Sequence, residues 1–175
     1  MMKKKLIILL SLINILILSI HNASASSGYD KNLPIEITAD SLEVLQNEKI
    51  AIFSGSVDAK QGEILLKAEK LKVNYTSSNL GGKQSVSKIF AEGNVSFSSK
   101  LESANSDKGE YDVEQGLITL SGDVKLTQGN NILRGSKLII DLKTGKNTMI
   151  GSQKSLNTTT KDGRVKGLFT PKKTN

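Results

Sequence analysis

Ala51-Ile52-Phe53-Ser54-Gly55-Ser56-Val57, Ile89-Phe90-Ala91-Glu92-Gly93-Asn94-Val95 and Ile118-Thr119-Leu120-Ser121-Gly122-Asp123-Val124 are three copies of one template. In each, one parity carries small or apolar side chains, a glycine follows in phase, and valine closes the unit. The alternation runs on to Ala59, Phe97 and Leu126. A period of two held over this length describes a strand with one face inward, because a helix would scatter the same residues around its circumference. The in-phase glycine has no side chain to pack and predicts a bend or a close approach of backbone.

A longer repeat contains the template. A shift of 67 residues lays Gln61-Gly62 on Gln128-Gly129, Leu65-Leu66-Lys67-Ala68 on Ile132-Leu133-Arg134-Gly135, and Lys70-Leu71-Lys72-Val73 on Lys137-Leu138-Ile139-Ile140. In both copies the apolar parity flips between residues 66 and 71, or 133 and 138. Such a flip needs a bulge or a corner. The predicted fold is therefore all-β: a twisted, open-ended β-jelly-roll, or two-sheet sandwich, of repeated antiparallel strands. Asp40-Ser41-Leu42-Glu43 resembles a helix capping box. Ala39 to Val44 nevertheless repeats Ala68 to Val73, so the segment is read as strand. The second Gly-Val unit reads as two residues short, counting Gly93 to Ala104 against Gly55 to Ala68.

Pro34 and Pro171 are the only prolines, and the stretch between them is punctuated by turn clusters instead. These are residues 77–82, Gln128-Gly129-Asn130-Asn131, residues 143–147 and Lys161-Asp162-Gly163.

The N-terminus reads as a secretory signal over residues 1–25, with Lys3, Lys4 and Lys5, an apolar stretch over 6–20, and Ala23-Ser24-Ala25 before the expected cleavage. The apolar stretch as a helix would span about 22 Å, short of the roughly 30 Å hydrocarbon core, although a retained membrane anchor is the competing reading. Residues 26–32 read as a linker, 33–170 as the folded domain and 171–175 as a basic tail. Loss of the three signal lysines lowers the net charge from +7 to +4, and the remaining lysines are scattered. Cysteine is absent and the single histidine, His21, lies in the signal. The exported chain thus lacks a histidine base, a cysteine nucleophile and the common zinc and copper ligands. No cofactor, metal or nucleic-acid partner is expected, and no pair of carboxylates is singled out for hydrolytic chemistry.

Pro34-Ile35-Glu36-Ile37-Thr38-Ala39-Asp40, Phe53-Ser54-Gly55-Ser56-Val57, Gln61-Gly62, Ala68-Glu69-Lys70-Leu71 and Ser121-Gly122-Asp123-Val124, taken in that order, resemble the OstA-like family. The resemblance covers residues 33–170. It implies a non-enzymatic periplasmic carrier in Gram-negative bacteria that holds the lipid A acyl chains of lipopolysaccharide inside its jelly-roll. It also implies head-to-tail homo-oligomers joining an inner-membrane extraction complex to an outer-membrane insertion complex. The lipid-facing positions it implies are Ile35, Ile37, Phe53, Val57, Val95, Phe97, Tyr111, Val113 and Leu120. From the residues alone, each is an apolar side chain at inward parity, and ordinary core is the alternative. A membrane-anchored relative and a structural β-solenoid with a solid core remain the competing readings. Mass-spectrometric reading of the cellular protein should give Ser26 as the first residue; an intact Met1 in the membrane fraction would favour the anchor.

Overall fold

The computed structural model describes residues 29–77, 84–152 and 163–171. The signal sequence, the turn cluster at 78–82, residues 153–162 and the tail lysines 172 and 173 lie outside the described residues. Among the described residues ten strands form in chain order: β1 Glu36–Thr38, β2 Ser41–Leu45, β3 Ile50–Gln61, β4 Ile64–Ser77, β5 Gln84–Ser98, β6 Ser103–Asp112, β7 Leu117–Gln128, β8 Asn131–Asp141, β9 Lys146–Ile150 and β10 Lys166–Leu168. All pairings are antiparallel, and one hydrogen-bonded path runs β1-β3-β4-β5-β6-β7-β8-β10. At one end β2 also pairs with β3, and at the other β9 pairs with β8. The capping-box segment is strand from Ser41 onward, because its pairing with residues 50–54 supplies the partners a lone helical turn would lack.

The expected corner is a line of bulges crossing the sheet. The register shifts between Ser54 and Val57 on β3, between Glu92 and Val95 on β5, and between Ser121 and Val124 on β7. At each place the odd-numbered strand spends one residue more than its even-numbered neighbour. Gly55, Gly93 and Gly122 sit there with φ of +81°, +79° and +107°. Those values favour glycine, and the extra residue lets each strand bend. A carboxylate lies against each glycine: Asp40 on Gly55, Glu69 on Gly93 and Asp107 on Gly122. Glu69 Oε1 accepts from Asn94 Nδ2 at 2.5 Å, and Asp107 Oδ2 accepts from the Asp123 amide at 3.2 Å.

The bulge line corrects the sequence reading at one point. Val57 pairs with Ala68, Val95 with Ser106 and Val124 with Gly135. Ser106, not Ala104, is therefore the counterpart of Ala68, and the second unit is as long as the others. The position demands a small side chain, not an apolar one. Buried Ser106 meets that demand by donating its hydroxyl to the Lys108 carbonyl at 2.9 Å.

The bulges divide the sheet into two halves that fold onto each other. The first half-sheet holds β1, β10 and the segments of β3 to β8 beside the turns at 62–63, 99–102 and 129–130. The second holds β2, β9 and the segments beside the turns at 46–49, 113–116 and 142–145. Inward side chains of both halves merge into one core that includes Val57, Leu66 and Phe97 from the first and Leu71, Ile89, Leu120 and Leu138 from the second. The two faces of the expected sandwich are thus halves of one continuous sheet.

Gly122→Ala should destabilise the protein by at least about 2 kcal/mol, since it forces a strained backbone and drives a methyl group into Asp107. Adding Asp107→Gly should recover only part of that loss, because the strained φ remains. Chemical denaturation of the two variants measures both.

Candidate functional site

The two halves do not seal along their whole length. At the β1 end a cleft of about 720 Å³ opens between them, lined by Ile35 and Ile37 from the first half and Val44, Ala51, Phe53, Val73, Tyr75 and Val86 from the second. Gln46, Lys49 and Ser85 give it a polar rim. Its size and mostly apolar lining suit a non-polar guest held by few directional contacts. A second cleft of about 520 Å³ lies further along the same seam. Leu33, Ile64, Leu101, Ile140 and Leu142 line it, beneath a charged rim that includes Glu63, Lys100, Glu102 and Asp141.

The nine positions assigned from sequence separate into two groups. Ile35, Ile37 and Phe53 line the first cleft. Val57, Val95, Phe97, Tyr111, Val113 and Leu120 lie in the core where the halves meet, all but sealed from solvent. Alternation gave their inward face, but how far the halves stand apart depends on tertiary packing. Val73, a buried core residue, also reaches the cleft wall.

Between the clefts stands a polar bridge that alternation could not reveal. Tyr111, on the second half, donates its hydroxyl to Gln61 Oε1 at 2.6 Å on the first half. Gln61 Nε2 donates to the carbonyls of Leu33 at 3.0 Å and Lys31 at 3.3 Å. The Tyr29 hydroxyl donates to the Val113 carbonyl at 2.6 Å and lies 3.2 Å from the Tyr111 oxygen. Burial, reinforced by Tyr29, pushes the Tyr111 phenol far above its usual range, so it remains a protonated donor. Buried Gln61 sits where alternation calls for an apolar residue, and that mismatch was the available sequence signal.

A second bridge crosses the seam further along. Asn147 Nδ2 on β9 donates to Glu102 Oε2 at 2.5 Å in the β5–β6 turn. Burial raises the Glu102 pKa, against the lowering effect of that bond.

Residues 36–146 match the family described as LptA/(LptD N-terminal domain) LPS transport protein. The chain belongs to this lipopolysaccharide transport family. An uncharacterised Rhizobium meliloti protein is 32% identical over 116 residues, covering 64% of this chain and 62% of that protein. The chain thus spans about three-fifths of that relative's length. The lipopolysaccharide export system protein LptA of Haemophilus influenzae is 27% identical over 135 residues, 74% of this chain and 77% of that one. The crystal structure of LptH, the LptA-homologous periplasmic component of the Pseudomonas aeruginosa lipopolysaccharide transport device, superposes with a TM-score of 0.68. At 21% identity it covers 81% of this chain and 99% of LptH, and it shows the shared fold.

The raised Glu102 pKa has a definite sign. Its contribution to stability is complete below the unfolded carboxylate value of about 4.3 and is lost as pH rises through the higher folded-state value. Glu102→Gln keeps an acceptor for Asn147 but cannot ionise. Its melting temperature relative to the parent should therefore rise between about pH 4 and about pH 7. An unchanged difference would contradict the assignment.

Proposed function

We propose that the chain is a periplasmic carrier that shelters the acyl chains of lipopolysaccharide between its half-sheets and passes them along a stack of identical subunits. The observation that carries this reading is the apolar cleft at the β1 end, which leads into an apolar core without a break in the sheet. Exposing an acyl chain to water costs about 0.8 kcal/mol per CH₂, so a long chain costs on the order of 10 kcal/mol. A sleeve of small and branched apolar side chains removes that cost with no bond made or broken. Family membership supports lipopolysaccharide as cargo, and the LptH description supports the periplasm as the setting. The partners in this reading are an inner-membrane extraction complex and an outer-membrane insertion complex.

Both ends of the sheet are built for stacking. Each edge consists of two short strands, one per half: β1 and β2 at one end, β9 and β10 at the other. Their outer edges have no strand partner among the described residues and are templates for another chain. Translating one copy onto the next brings β10 antiparallel to β1. Setting Lys166 opposite Glu36 places Val165 against Ile37 and Gly167 against Ile35, with their shared faces inward. That register also relieves an unfavourable row, since Lys166, Arg134 and Lys125 are direct cross-strand neighbours. A translational contact of this kind does not close and builds open fibres.

The core burial of six of the nine assigned positions favours one alternative, a structural β-protein with a solid interior. Photo-crosslinking residues separate the two. Probes at Ile35, Ile37 and Phe53 should capture lipopolysaccharide, as should probes at Val57 and Leu120, while Glu36 and Asp112 should not. Capture equal at both parities, or none at any inward position, would favour the solid interior. Assembly has its own check by sedimentation. Lys166→Glu should weaken self-association up to about fivefold, and Glu36→Lys in the same chain should restore it.

A further inference from the structure

Residues 29–32 read from sequence as a linker, yet they and Leu33 lie across the seam and hold both half-sheets. The Leu33 side chain rests on Gly62 in the β3–β4 turn, where a Cβ would come within 2.9 Å of Leu33 Cδ1. The Tyr29 ring rests on Gly116 in the β6–β7 turn, where a Cβ would come within 2.8 Å of Tyr29 Cε1. These turns belong to opposite halves. Both glycines have positive φ, +58° and +68°, and both offer a bare backbone to the crossing segment. Four side-chain hydrogen bonds pin the crossing: Tyr29 to Val113, Gln61 to Lys31 and Leu33, and Tyr111 to Gln61.

The position of this segment matters. Ile35 and Ile37, immediately downstream, line the first cleft, while Tyr29, Asp30 and Leu33 line the second. The bridge therefore stands between the two openings of one seam. An acyl chain in the first cleft meets Gln61 and Tyr111 before it can extend into the second. Buried polar groups are costly to leave unpaired, so the bridge parts as a unit and closes as a unit.

We propose that residues 29–33, with Gln61 and Tyr111, form a clip that holds the half-sheets closed and must be released before lipid can occupy the interior. This rests on the carrier reading above and names the element that regulates it. A guest that spreads the halves separates the 62 turn from the 116 turn and breaks the crossing segment from at least one of them. Loading and clip closure thus compete. The core between the two clefts is kept closed against water, and the cargo meets a barrier that the chain itself supplies.

The test uses the signal-less full chain and purified lipopolysaccharide carrying a fluorescent label. Tyr29→Phe combined with Tyr111→Phe keeps both rings and removes both hydroxyls. Association of the labelled lipid should accelerate about two- to tenfold, the range expected for loss of a buried hydrogen-bond network. Amide hydrogen exchange without lipid should rise at residues 61–64 and 112–117. The chain has no cysteine, so Gln61→Cys with Tyr111→Cys can be bridged by a bifunctional maleimide. Unbridged, this variant should load faster than the parent, and bridged, slower than the parent. If the parent loads lipid while the hydroxyl-free and bridged forms match its rate, the clip is wrong and the carrier reading stands. If the parent takes up no lipid, the carrier reading falls and the lipid gate falls with it. Unchanged exchange at the two turns in the hydroxyl-free variant would overturn the clip regardless of lipid.

Discussion

Everything in this structure depends on one repeated backbone event, the extra residue at Gly55, Gly93 and Gly122. Without it β3 to β8 would make a nearly straight, open sheet with one apolar face exposed to water. The three bulges fall in register, so the strands bend along a common line and the apolar face closes on itself. Asp40, Glu69 and Asp107 occupy the outside of the bend against the bare glycines. The sheet needs no second chain segment to cover it, and no disulfide holds it shut. A sheet that covers itself by folding can also unfold along the same line without breaking its ladder of hydrogen bonds. That separates this architecture from a sandwich of two independently built sheets.

The seam opposite the bend carries the complementary constraint. The bend is fixed by backbone, whereas the seam is held by side chains: Tyr111 with Gln61, Asn147 with Glu102, and the crossing segment at 29–33. Apolar closure alone would be difficult to reopen and indifferent to position. The Tyr111–Gln61 bridge stands between the two clefts, and the Asn147–Glu102 bridge crosses the seam further along. The ends of the sheet add a third feature, short strands whose outer edges have no strand partner among the described residues. The basic row Lys125, Arg134 and Lys166 lies at one end, and Glu36 and Glu43 lie on the strands at the other. Bend, seam and edges are the three features on which the proposed carrier reading rests.

Much of this was legible in the sequence because β-structure has a period of two. The Gly-Val template gave the strands and the parity flip gave the bend, before any tertiary information. The apparent shortening at Ala104 has the same origin. The position requires a small residue, and Ser106 fills it without extending the apolar alternation. Tyr111 shows the other limit. Its parity correctly marked it as inward, but its hydroxyl partner sits 50 residues earlier on the other half-sheet, and no local pattern encodes that distance. The division of the nine assigned positions into cleft and core was likewise unreadable, since it is set by how closely the halves approach.

In the proposed carrier the space between the folded half-sheets, and no outer face, receives the acyl chain. Methyl-resolved NMR of the signal-less chain loaded with lipopolysaccharide tests it most directly. Intermolecular contacts are expected from acyl methylene protons to the methyls of Ile35 and Ile37, and to the buried methyls of Val57, Val95 and Leu120. None is expected to Ile52 and Ile139 on the outside of the second half-sheet. Contacts confined to the outer methyls, with the buried ones unmoved on loading, would contradict the carrier reading.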